Sequence, residues 1–99
     1  MTYLVVDQRV TDIDGWVAAF SAATGQRGAA GGELAMVLTD PADPGRLLVI
    51  VEFDTPEHAR EWRARPGIEQ AGARVGVVPG SVTARVLDEL PMPQAGPVD

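Results

Sequence analysis

Arg46-Leu47-Leu48-Val49-Ile50-Val51-Glu52-Phe53-Asp54-Thr55-Pro56-Glu57-His58-Ala59-Arg60-Glu61-Trp62 is the stretch that decides the fold. Up to Phe53 it is apolar at nearly every position. Successive side chains of a strand alternate, so Leu47, Val49, Val51 and Phe53 share one side while Leu48, Ile50 and Glu52 share the other. Both sides ask for cover. After Phe53 the chemistry changes to that of a helix start. Thr55 offers a capping oxygen, Pro56 falls where a missing amide costs nothing, and Glu57 suits the positive helix end. Thr55, Ala59, Trp62 and Pro66 form the inner stripe of this helix. Glu57, Arg60 and Glu61 face solvent, and His58 and Arg63 lie on opposite flanks of the stripe.

Working outward, Asp40-Pro41-Ala42-Asp43-Pro44-Gly45 reads as a turn, since prolines preset φ and glycine releases the chain. Before it, Glu33 to Thr39 alternates, with Leu34, Met36 and Leu38 on one face. Together with Arg46–Phe53 this predicts a hairpin with a longer than minimal loop. Upstream, Tyr3 to Val10 predicts a first strand. Thr11, Asp12 and Asp14 offer caps to a helix whose stripe is Ile13, Trp16, Val17, Phe20 and Thr24, ended by Gly25. Gly25 to Gly32 reads as a loop. Downstream, Pro66 ends or bends the second helix, Gly67 to Arg74 offers one more short helical turn, and Ser81 to Asp88 predicts the fourth strand. The order is strand–helix–strand–strand–helix–strand.

The 99 residues suit one domain. Residues 1–90 are expected to form it, with residues 91–99, holding three prolines, as a flexible tail. Zero cysteines exclude disulfides, zinc–thiolate sites and cysteine nucleophiles. Net charge is −6, with no lysine and eight scattered arginines, which argues against nucleic acid as a partner. No apolar run reaches the ~18 residues of a membrane span. Met1-Thr2-Tyr3-Leu4 carries no basic segment of a secretory signal, so no membrane and a cytoplasmic location are expected.

Two crossovers of this length place both helices on one side of the sheet. The other side is then bare, yet the third strand is apolar on both sides and the first nearly so. Leaving four or five such residues in water forfeits on the order of 10 kcal/mol, at roughly 1.5–3 kcal/mol each. That is comparable to a whole domain's net stability of about 5–15 kcal/mol. A second copy is the economical cover, and two-fold pairs are the commonest oligomers.

The same element order resembles the dimeric α/β barrel superfamily. So do Trp16 after Asp12 and Asp14, the Asp40-Pro41-Ala42-Asp43-Pro44 turn, Glu52-Phe53-Asp54, Glu57-His58-Ala59-Arg60 and Gly76-Val77-Val78-Pro79-Gly80. The nearest likeness is to the small proteins grouped with antibiotic biosynthesis monooxygenases and polyketide cyclases, over about residues 3–88. The resemblance implies an α+β, ferredoxin-like βαββαβ sandwich: a four-stranded antiparallel sheet with two helices on one face. Two such sheets would pack face to face as a homodimer, each subunit keeping a cleft between helices and sheet. It also implies a range of activities, including cofactor-free oxygenases, cyclases, isomerases, heme-degrading enzymes and members without known activity, so fold leaves function open.

The expected function is therefore a cofactor-independent monooxygenase, cyclase or isomerase acting on a small aromatic or polyketide-like metabolite. The alternative is a non-catalytic ligand-binding or accessory protein of a biosynthetic pathway. No cofactor or metal is expected. Gln8, Glu52 and His58 are the polar candidates for catalysis; many relatives carry histidine where this chain has Gln8, which weakens a carried-over base mechanism. His58, the only histidine, titrates near neutrality and is also the only group suited to a heme iron. Glu52 interrupts an otherwise apolar face, where ionisation is costly unless paired; Arg9, Arg63 and Arg85 are the candidate partners. Met36, Trp62 and Arg63 are the expected substrate-binding residues, Trp62 and Met36 as cleft walls. Trp16 and Phe20 read as core. The glycines between Gly25 and Gly31 follow a helix rather than a strand, so they form no phosphate cradle.

Overall fold

The computed structural model describes residues 1–93; the Leu34 side chain and residues 94–99, most of the expected tail, lie outside the described residues. The strands are β1 (Thr2–Arg9), β2 (Gly32–Asp40), β3 (Asp43–Phe53) and β4 (Thr83–Asp88). They form one sheet in the order β2-β3-β1-β4, and every neighbouring pair is antiparallel. The helices are α1 (Ile13–Ala22), α2 (Thr24–Ala29), α3 (Pro56–Arg63) and α4 (Ile68–Arg74). This is the ferredoxin-like order, with α2 added to the expected pair and α4 forming where Gly67 to Arg74 offered one more helical turn.

The β3–α3 join forms as its sequence dictates. Leu47, Val49, Val51 and Phe53 are buried, and Phe53 is fully so. They meet Leu4 and Val10 from the first strand and its end, Trp16 from α1 and Ala59 from α3 in one hydrophobic core. Thr55 caps α3 by accepting from the His58 backbone N–H at 3.0 Å, and Pro56 occupies the first turn. Registry carries the alternation across the sheet. Val51 faces Leu4 and Ala35, and Ile50 faces Val5 and Met36. Leu4, Val51 and Val86 thus lie on the helix side, while Val5, Ile50, Met36 and Arg85 lie on the bare side.

Two local expectations change. The segment from Thr24 to Ala29 is helical rather than a loop, despite Gly25 and Gly28. Arg27 explains this: its guanidinium turns back onto α1, donating to the Phe20 carbonyl at 2.7 Å and to Thr24 Oγ1 at 3.1 Å. The break in direction moves to Gly31, whose φ of +99° suits glycine and whose carbonyl accepts from the Asp54 N–H. The stripe on α1 is also narrower than its periodicity predicts, for Trp16 is buried, Phe20 half-buried, and Val17 and Thr24 exposed.

The β2–β3 hairpin is tighter than expected. Pairing continues to Asp40 opposite Asp43, leaving Pro41 and Ala42 as the loop after an irregularity at Thr39. Asp40 Oδ1 accepts from the Ala42 N–H at 2.9 Å, which stabilises so short a connection. At the other end of the molecule Gly76, at φ +82°, presents its carbonyl to the Thr11 N–H. With the Val10–Val77 bridge, this ties the segment after α4 to the end of β1.

Candidate functional site

The six residues singled out from sequence fall in four places. Gln8 is buried on the helix side of β1, opposite Leu47. Trp62 is half-buried on α3 against the core, with Arg63 beside it. Glu52 and Met36 lie on the bare side of the sheet, Met36 largely exposed. Met36 and Trp62 are therefore on opposite faces and cannot wall one cleft within a subunit. The cause is the alternation of β2: placing Ala35 and Val37 on the helix side sends Met36 the other way. Glu52 has none of its candidate arginine partners, since among the described residues Arg9 pairs with Asp43 and neither Arg63 nor Arg85 forms an ion pair.

His58 forms an exposed pair with Asp54, Nδ1 to Oδ1 at 2.6 Å, across the first turn of α3. The hydrogen bond to Asp54, and then its charge, raise the imidazole pKa. The same bond holds the Asp54 carboxyl below the usual range. Such a carboxylate fixes the ring tautomer and leaves Nε2 as the free nitrogen. Gln8, Glu52 and His58 thus occupy the buried helix side, the bare sheet face and the exposed start of α3; they do not converge on one point.

What gathers on the helix side is Trp16, Phe20 and Trp62 with two arginines, Arg27 and Arg65, that were not singled out from sequence. Trp16 and Phe20 stack with centroids 4.8 Å apart and planes within 12°. The Arg27 guanidinium lies 3.8 Å over the Phe20 ring, and the Arg65 guanidinium 3.7 Å over Trp62. Arg65 also donates to the Trp62 carbonyl at 2.8 Å. Phe20 and Trp62 pack on the same core. Beside these aromatic–arginine stacks, the core between helices and sheet is mainly aliphatic, with Leu4, Val10, Leu47, Val49 and Val51 buried. In sequence a buried arginine looks like any surface arginine; the available signal was the i, i+3 spacing of Trp62 and Arg65, which puts both on one side of a helical turn.

Two open depressions mark the surface. One, of about 420 Å³, lies at the α3–α4 connection and is lined by Arg63, Ala64, Arg65, Gly67, Ile68, Glu69 and Gln70. The other, of about 290 Å³, sits at the β2–β3 edge beside the Asp7–Arg46 ion pair. No group of three or more potential metal-ligating side chains occurs among the described residues. No helix among them is long and apolar enough to cross a membrane.

With this geometry in place, solved structures provide the comparison. An antibiotic biosynthesis monooxygenase superposes with a TM-score of 0.65 at 11% identity, over 92% of this chain and 100% of that one. SnoaB, a cofactor-independent oxygenase from Streptomyces nogalater, gives 0.64 at 14% identity, over 92% and 93%. The ActVA-Orf6 monooxygenase of Streptomyces coelicolor, solved with nanaomycin D, gives 0.58 at 16%, over 94% and 92%. No protein-family model matches the chain, and no curated protein does. At these identities the likeness is one of fold. The chain has the ferredoxin-like fold of the antibiotic biosynthesis monooxygenases, the class its element order resembles.

Proposed function

We propose that this chain works as a homodimer joined through the bare sheet face and acts, without a cofactor, on a small aromatic or polyketide-like metabolite, as a monooxygenase, cyclase or isomerase. The observation that carries the reading is the uncovered apolar side of this particular fold. Val5, Leu48 and Ile50 form its centre, and Met36, Leu38 and Leu87 are exposed around them. Strands of 6–11 residues, four abreast, give a flat footprint on the order of 500 Å² per subunit. Two such faces bury on the order of 1,000 Å², enough for a specific interface. Pairing removes the apolar residues from water at roughly 25 cal/mol per Å². The fold shared with a cofactor-independent oxygenase supports the catalytic part. In this reading Trp62 and Arg63 flank the ligand on the helix side, and rate enhancement comes from orientation and exclusion of water.

A second reading, a non-catalytic ligand-binding or accessory protein, is favoured by the dispersal of Gln8, Glu52 and His58. Oxygen uptake with an electron-rich anthrone, followed by mass spectrometry of products, separates the two. Uptake above the buffer rate supports catalysis. Binding with neither uptake nor a chemically altered product supports the accessory role, and neither binding nor turnover overturns both. Sedimentation at micromolar concentration tests the dimer independently; stable single subunits would overturn it.

A further inference from the structure

The chain is acidic overall, with 14 carboxylates against eight arginines. Yet Arg27 is only 6% exposed with no carboxylate among the described residues in ion-pair reach. The three ion pairs among the described residues are Arg9–Asp43, Arg46–Asp7 and His58–Asp54. Arg63 and Arg65, both half-buried, have no ion-pair partner among the described residues either. They line the 420 Å³ depression, where Glu69 also stands but not within ion-pair distance of either. A buried or half-buried cation without its counter-ion is costly.

Part of that cost is offset locally. Arg27 and Arg65 donate to carbonyls at the C-terminal ends of α1 and α3, where the helix dipole is negative. That end carries only about half an elementary charge, so each guanidinium remains net positive. Burial, then the charges of Arg63 and Arg27, depress the Arg65 pKa. Stacking on an aromatic ring uses the face of a guanidinium and leaves its in-plane N–H fork for a planar oxyanion. Arg65 spends one bond on the Trp62 carbonyl and Arg27 two on Phe20 and Thr24, out of five N–H groups each.

We propose that the α3–α4 depression is an anion site in which Arg65 and Arg63 take the carboxylate of a small aromatic ligand. This rests on the reading that the helix side binds a small aromatic molecule, and adds that the ligand is anionic. Ile68, in the lining of the depression, is the nearby apolar surface for its ring.

Calorimetric titration of the full chain with 2-naphthoate and with its neutral isostere 2-naphthamide tests the site. The naphthoate is expected to bind at least tenfold more tightly, with affinity falling as salt rises. Arg65→Gln and Arg63→Gln should each erase most of that preference; Arg74→Gln, on α4 outside the depression, should keep it. Circular dichroism of each variant confirms the fold, and the two independent arginine variants guard against one failing to fold. Equal affinity for the two probes would overturn the anion site and leave the aromatic-ligand reading standing. A preference that survives in both Arg65→Gln and Arg63→Gln would overturn the assignment to these residues. Binding of neither probe would overturn the ligand reading, and this inference with it.

Discussion

The two faces of the sheet are built from the same strands, and at the centre of β3 from alternate residues of nearly equal hydrophobicity, yet they fare differently. On the helix side Leu47, Val49, Val51 and Phe53 are at most 4% exposed. On the other side Met36 is 57% and Leu38 45% exposed, and Ile50 is half-buried only by its neighbours. Hydrophobicity alone does not separate a core residue from an uncovered one; what separates them is whether the same chain has an element left to cover them. Here Trp16 and Ala59 cover one face, and no helix remains for the other.

The largest effect is expected on the helix side. Phe53→Ala should cost about 3–5 kcal/mol, because a fully buried ring leaves a cavity that sheet and α3 cannot close. Urea unfolding should show the midpoint collapse. Ile50→Glu, one pleat away from Val51, should leave the subunit folded by circular dichroism but weaken self-association at least 100-fold, about 2.7 kcal/mol. Sedimentation reads this directly. If Ile50→Glu instead unfolded the chain as Phe53→Ala does, the distinction between the faces would break.

Smaller effects sharpen the boundary where β3 leaves the sheet. Thr55→Ala removes the cap of α3 and should cost about 1 kcal/mol of chemical stability. The Asp54–His58 pair should matter least, being exposed. Its sign is still definite. The raised His58 pKa gives a contribution complete below the ordinary imidazole value and lost as pH rises through the folded one. The depressed Asp54 pKa gives a contribution present above the ordinary carboxylate value and lost as pH falls through the folded one. The difference in Tm between the wild-type chain and His58→Gln should therefore be greatest between those limits and shrink on either side.

Much of this was legible in the sequence because it is local. Alternation in Arg46–Phe53 and the Thr55-Pro56 cap depend on neighbours only, and the structure has both. The helix from Thr24 to Ala29 was not legible, since its glycines argue against it and its support is a side chain folding back seven residues to Phe20. The hairpin tightened for a similar reason: Asp40 bonds across the turn and lets pairing run on to Asp43. For the candidate site, the periodicity of β2 placed Met36 on a face without saying which face the helices would cover. Arg27 and Arg65 went unnoticed because stacking and burial are tertiary properties that residue type does not announce.

The placement of the aromatic layers has a practical consequence for spectroscopy. Both tryptophans, Trp16 and Trp62, sit among the helices, whereas Tyr3, the only tyrosine, lies in register with Glu52 and Leu87 on the opposite face. Indole emission should thus be almost blind to subunits coming together and sensitive to ligands, while the phenol's absorbance reports the reverse, giving two optical channels that label cannot blur.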